Sequence, residues 1–441
     1  MNAIASHSMI GAGGWRTGRS SQEQIARRSA PVHSQKQEKP MSSSKNKEIE
    51  FLRGVAILMT IFAHLPQLLP FFGLYLLKVF NVYAPWTGVD LFFCISGFVV
   101  SKAYLDYFDK NREQNRFGLA ATSFWIRRAY RLLPTAWLWV LIPLAFSIFF
   151  NQSNAFQSWY ENLRSFTAVA TFSGNLANQY GVLLGPNSVY WSLALEEQFY
   201  FIFPLFLLLV TSPRWRVIIL FLLIAAQFPF NRDTFAAPPA AMLFSFRLDA
   251  MMWGILLCLF TRTSLYKDIE PVGLGGSRFK RLAITLFLLY MMGAIAGQMI
   301  TAPIAVGLIA ITALIIVWLA SYQKGYIYCP ALLNGLFQWL GSRSYALYVV
   351  HIFAYHLSTE IWTRIAASRD VELGAALTVE LLLTSLVIMV VCSELNFRFV
   401  ETPLRRRGAE IARRRMAGDG ETEAVREKPP VKTPARSVDI A

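Results

Sequence analysis

Charge is what this sequence has least of. Only 16% of its 441 residues are Asp, Glu, Lys or Arg, against roughly 25% in a soluble domain. With 55% of residues hydrophobic, a water-soluble globular enzyme is excluded and a membrane protein is expected. Cysteine is scarce too. Cys94, Cys258, Cys329 and Cys392 show no metal-ligand spacing, and three lie within apolar runs. Neither a disulfide framework, a zinc site nor a resident prosthetic group is expected. The alternating pattern of barrel strands is missing, which leaves helices as the spanning elements. No cleavable signal peptide is read at the N-terminus: the first 46 residues are polar and rich in Ser, Gln and Arg. Met41 offers a second candidate start.

Acidic residues are fewer than basic ones, 27 against 42, a net charge of +15. The basic residues fall between apolar runs, where orientation signals sit. Membrane lipid is therefore an expected partner and nucleic acid is not.

What the sequence does have is apolar runs long enough to cross a bilayer as helices. The candidate spans are 52–73, 88–106, 129–150, 188–211, 215–230, 239–261, 282–298, 303–320, 343–363 and 374–396. They predict an all-α polytopic membrane protein of about ten transmembrane helices in one bundle over residues 47–407. A disordered cytoplasmic tail, 1–46, is expected before it and a disordered basic tail, 408–441, after it. With the N-terminus in the cytoplasm, most Lys and Arg fall in the connections at 107–128, 212–214, 262–281 and 321–342 and after 397. That places both termini inside and 151–187 as the largest outer connection. No internal repeat is visible, which weighs against a transporter built from duplicated halves.

Ionisable side chains inside such runs cost about 2.5–3.5 kcal/mol each on insertion scales and are functional candidates by default. Here they are His64, Asp90, Glu196, Glu197, Arg247, Asp249, His351, His356, Glu380 and Glu394. Arg53 and His64 are eleven positions apart, within about 20° of one helical face and roughly 16 Å along the axis. Pro66 cannot donate to the Phe62 carbonyl, which frees an acceptor beside the histidine. The plain alternative makes Arg53 a snorkelling anchor and His64 a core residue. Asp90 stands at a helix N-terminus, where the dipole favours an anion, and Ser96-Gly97 permits close helix packing. Arg127, Arg128 and Arg131 are orientation anchors or a phosphate-binding cluster. Trp191-Ser192 precedes Glu196-Glu197; Ser192 and Glu196 share a face, and at least one of the adjacent carboxylates should point into the bundle. Arg247 and Asp249 compensate each other or belong to a polar site. Ser344, Tyr348 and His351 form a polar stripe, while Glu394 and Glu401 are assigned structure.

Taken in order, these motifs resemble the acyltransferase-3 family of membrane O-acyltransferases, across about 48–407. The matching features are the Arg53–His64 pair, Gly88-Val89-Asp90 with Phe92-Phe93 and Ser96-Gly97-Phe98, and Arg127-Arg128 with Arg131 and Pro134. Trp191-Ser192-Leu193 with Glu196-Glu197-Gln198-Phe199-Tyr200, Arg247-Leu248-Asp249, and Ser344-Tyr345 with Leu347-Tyr348 and His351 match as well. The resemblance implies transfer of an acyl group, commonly acetyl from acetyl-CoA as co-substrate. Acceptors in the family are hydroxyls of lipopolysaccharide, peptidoglycan, exopolysaccharide, lipid-linked sugars or macrolides. It also implies a multi-pass protein of the bacterial inner membrane, with Arg53 and His64 as the essential pair. Some members fuse a periplasmic hydrolase-like domain to the C-terminus. Here only a basic tail follows, so a separate periplasmic transfer protein is an expected partner where a second transfer is needed. His64 is then the expected general base or acyl relay, oriented by Glu196 or Glu197. Arg53 with Arg127, Arg128 and Arg131 would hold the phosphates of coenzyme A. Asp90, Ser96, Trp191, Ser192, Arg247, Asp249, Tyr348 and His351 remain candidates for the pore or acceptor site. The rival reading is a transporter of a small anion or sugar with the same charges as a relay.

Overall fold

A computed structural model describes residues 46–230, 247–298 and 302–426, and every regular element among them is helical. These residues belong to one compact unit, 45–441.

Helix α1, Lys47–Ala63, starts where the Asn46 side chain accepts the Glu48 and Ile49 N–H groups, with Glu48 and Glu50 in its positive first turn. It stops three residues before the Pro66 ring, which cannot continue the ladder. A single turn, Leu65–Leu68, follows, and then α2, Gly73–Val82. The candidate span 52–73 is thus a helix broken at His64 rather than one straight crossing. Helix α3, Gly88–Glu113, and α4, Phe117–Phe149, are long. The latter begins well before the expected 129, so the arginine cluster lies inside a helix instead of ahead of one. After α5, Trp159–Ala170, come α6, Tyr190–Leu209, and α7, Pro213–Gln227. Then follow α8, Asp249–Phe260, α9, Arg278–Gly297, α10, Ala305–Ser321, and α11, Ala331–Ser342. Helices α12, Ser344–Ser368, α13, Thr378–Asn396, and α14, Thr402–Arg426, complete the order. A π-turn over Phe397–Glu401 joins the last two.

The chain is a multi-pass membrane protein. Six helical stretches among the described residues are long and apolar enough to cross a bilayer: Lys47–Leu68, Pro85–Glu113, Phe117–Phe149, Tyr190–Leu209, Arg278–Gly297 and Ala375–Gly418. Helices α8 and α10 are apolar but shorter. The polar stripe along α12 lowers its hydropathy despite a length of 25 residues.

Besides α2, which runs on past the expected end at 73, three elements fall where none was expected. Helix α5 lies in the supposed outer connection. A capping box starts it: Ser158 accepts the Glu161 N–H while Glu161 reaches back. Helix α11 lies in the supposed 321–342 connection. The basic tail after 408 continues as α14, because its small residues form a packing face that the charge count hides. Gly408 abuts Tyr130, Ala412 is fully buried, and Arg116 donates to the Met416 carbonyl. Residues 1–45, 231–246, 299–301 and 427–441 lie outside the described residues. They include most of the expected N-terminal tail and the start of the 239–261 span.

Helix α3 sits against α1, α4, α6, α8 and α10. Its closest partner is α8, where Gly97 faces the Met251 carbonyl and Gly254 faces Cys94 and Gly97. Two facing glycines let the backbones approach as no larger residue would. Helix α12 packs on α1 and α13, which brings His351 to the break in α1.

Candidate active site

The break at Pro66 sets up the first part of the site. His64 caps α1, and its Nδ1 lies 2.8 Å from the Thr60 carbonyl. At the break, Ile61 O accepts both the His64 N–H at 3.2 Å and the Tyr355 hydroxyl at 2.9 Å. His351, fully buried on α12, sets its Nδ1 3.2 Å from the Leu347 carbonyl and its Nε2 3.3 Å from His64 Nδ1. One assignment satisfies all of these contacts. Each Nδ1 carries a proton; His351 donates to Leu347 O, and His64 shares its proton between Thr60 O and His351 Nε2. His64 Nε2 is left with a lone pair. No hydrogen bond joins His64 to Glu196 or Glu197 among the described residues; its side-chain partner is His351.

The second part is a cleft of about 690 Å³ among α1, α3, α4, α6 and α12. Arg53, Ser96, Arg131, Ser192, Glu196, Tyr200, Ser344, Tyr345 and Tyr348 supply its polar groups. Arg53 is paired with Glu50 at 2.9 Å. Glu196 faces Ser96 and lies within electrostatic reach of Arg131, Arg128 and Arg53. Ser96 Oγ and the Tyr200 hydroxyl are 2.6 Å apart, and Ser192 Oγ and the Tyr348 hydroxyl 2.5 Å. The Tyr348 ring contacts His351, centroids 5.9 Å apart. It thereby connects the cleft to the histidine pair.

The arginine cluster of α4 is divided. Arg131 lines this cleft. Arg128 lines a separate groove with Glu197. Arg127 lines neither. Asp90 and Arg247 form a buried pair, with both carboxylate oxygens 2.7 Å from Nη2. The guanidinium also stacks 4.7 Å from the Trp86 ring and 6.0 Å from Trp191. Arg247 therefore compensates Asp90 rather than Asp249. Arg247 precedes α8 and Asp249 opens it, where a mid-helix position was expected for both. Glu394 pairs with Arg343 and Arg398, as a structural role requires. Tyr200 and Tyr355 were not singled out, although each lies four residues beyond a candidate, Glu196 and His351, on the same helical face.

The arginine-lined cleft is thus joined through Tyr348 to the His351–His64 pair. A family model described as the acyltransferase domain matches residues 46–394. The chain belongs to the acyltransferase-3 family. Its similar relatives include the peptidoglycan O-acetyltransferase OatA of Listeria monocytogenes, 25% identical over 338 residues, 73% of this chain and 51% of that protein. The O-acetyltransferase OatA of Staphylococcus aureus is 25% identical over 357 residues, 75% of this chain and 55% of that protein. The putative peptidoglycan O-acetyltransferase YrhL of Bacillus subtilis is 24% identical over 353 residues, 75% and 52% respectively. The chain spans about half the length of the curated relatives it matches. No solved structure matches it. The family match ends at Glu394, so the π-turn and α14 lie beyond the matched residues.

Proposed function

We propose that this chain is a membrane O-acyltransferase that moves an acyl group, acetyl by family resemblance, from cytoplasmic acyl-CoA to a hydroxyl of a cell-envelope glycan. Peptidoglycan is the first acceptor to try, since it is named in the relatives. The reading rests on one observation: a cleft lined by Arg53 and Arg131 is linked through the Tyr348 ring to His351, whose Nε2 meets His64. The arginines would bind the donor's phosphates through charge-assisted hydrogen bonds, with the thioester extending toward the histidine. His64 Nε2 takes the proton of the acceptor hydroxyl as its oxygen attacks the thioester carbonyl. The tetrahedral adduct then expels the thiolate of coenzyme A, which recovers that proton. A chain of about ten crossings with both termini cytoplasmic fits this direction of supply. A separate periplasmic protein is needed only where the acceptor is beyond reach of the bilayer.

The test is purified protein with radiolabelled acetyl-CoA and muropeptide or whole peptidoglycan. Label should move to a hydroxyl ester and free coenzyme A should appear, both abolished by His64→Ala. Uptake of an intact anion or sugar into liposomes, with no ester and no free coenzyme A, would replace this reading by the transporter one.

A further inference from the structure

The groove on the far side of Tyr200 and Leu132 is larger than the cleft, about 1170 Å³, and has no part in the reaction above. Its rim is Phe201 and Ile202 on α6, 61% and 51% exposed. On a helix long and apolar enough to span the bilayer, such faces meet hydrocarbon. Its inner end is polar. Arg128 is stacked on the rings of Tyr200, Phe124 and Tyr104 at 4.9, 5.4 and 5.5 Å. Among the described residues it makes no ion pair and no hydrogen bond, and its Nε is buried without a partner. Glu197 likewise has neither. Gln198 donates to Phe172 O and Asn175 Oδ1, at 2.7 and 2.9 Å, but its own Oε1 is buried without a donor. One guanidinium with no anion in hydrogen-bonding contact and two acceptors lacking donors therefore share a groove that opens sideways to lipid.

We propose that this groove binds an anionic membrane lipid whose phosphate carries a hydroxylated head group. The phosphate meets the guanidinium edge, which presents a planar fork of donors. The head-group hydroxyls donate to Glu197 and Gln198 Oε1. The hydrocarbon chains leave between Phe201 and Ile202. This binding stands apart from the acyl-transfer reading, and the two fail separately.

The test is native mass spectrometry of the full chain in detergent with phosphatidylglycerol as the probe. Phosphatidylglycerol is expected to bind at least tenfold more tightly than an uncharged glucosyl diacylglycerol. Arg128→Gln should lose that preference. Ile202→Trp, which fills the rim at an exposed position and leaves the arginine in place, should weaken binding of every lipid. Glu197→Gln should narrow the preference for phosphatidylglycerol over phosphatidic acid. His64→Ala should bind as the unaltered protein does, whether or not acyl transfer is ever detected. Equal binding by Arg128→Gln and the unaltered protein overturns the proposal. So does displacement of the lipid by soluble glycerol phosphate at equal concentration, which would mark a free-phosphate site.

Discussion

At the scale of single residues, the histidine pair carries the sharpest expectation. His64→Ala should lower acyl transfer by at least about 100-fold, the lower end of what a general base contributes, while the protein still inserts. His351→Ala removes one of two acceptors for the His64 proton and leaves Thr60 O in place. A smaller loss, in kcat rather than KM, is therefore expected, with partial recovery in His351→Gln. Steady-state kinetics on both variants checks this; an unchanged kcat in His351→Ala would separate the two rings functionally. Glu196→Gln should act the other way. It removes a charge facing Arg53 and Arg131, so the donor KM should change more than kcat. The buried Asp90–Arg247 pair bears on stability instead. Asp90→Ala strands a guanidinium and should cost about 3–5 kcal/mol, whereas Asp90→Ala with Arg247→Met should recover much of it; thermal unfolding in detergent reads both. The sequence displayed nearly all of these side chains, because a charge in an apolar run stands out. It did not display their partners. Helical periodicity fixes which residues share a face of one helix, but the pairing of Asp90 with Arg247 and of His64 with His351 depends on which helices are neighbours.

At the scale of elements, the crossing of α3 and α8 brings two helix backbones into contact. A Cβ on Gly97 would meet the Met251 backbone, and one on Gly254 would meet the backbone of Cys94 and Phe98. Gly97→Ala should therefore cost about 1–3 kcal/mol by overpacking, read as a lower melting temperature. The shift should be larger than that of Gly118→Ala, where nothing lies within 4 Å. Helix α14 carries a second expectation. Removing residues 408–426 uncovers Tyr130 and loses the contacts of Ser123 and Arg116 with its backbone. Such a truncation should lower thermal stability and yield, as size-exclusion of a fluorescent fusion would report. Apolar runs announced the long helices well. They missed α5 and α11, which are short and amphipathic, and α14, where charged residues outnumber the small ones that pack.

At the scale of the whole molecule, the crossing number is the matter to measure. Cysteine accessibility at Ser153 and at a site added after residue 426 should report opposite sides of the membrane if about ten crossings hold both termini inside. Labelling of both from one side would require an odd change in the count. The lateral groove bears on how the bilayer is sealed. The turn after α5 reaches down to Gln198, eight positions along α6 from Tyr190, a depth of about 12 Å by the helical rise. Irregular backbone at that level persists only where protein or water covers it. From that side, a small ion meets a shortened dielectric barrier, and the side chains of Tyr200 and Leu132, which line both cavities, act as the plug. Opening that layer with Tyr200→Ala should raise the passive proton conductance of proteoliposomes, so the same ring that divides the two cavities would also keep the membrane's electrochemical gradient from leaking.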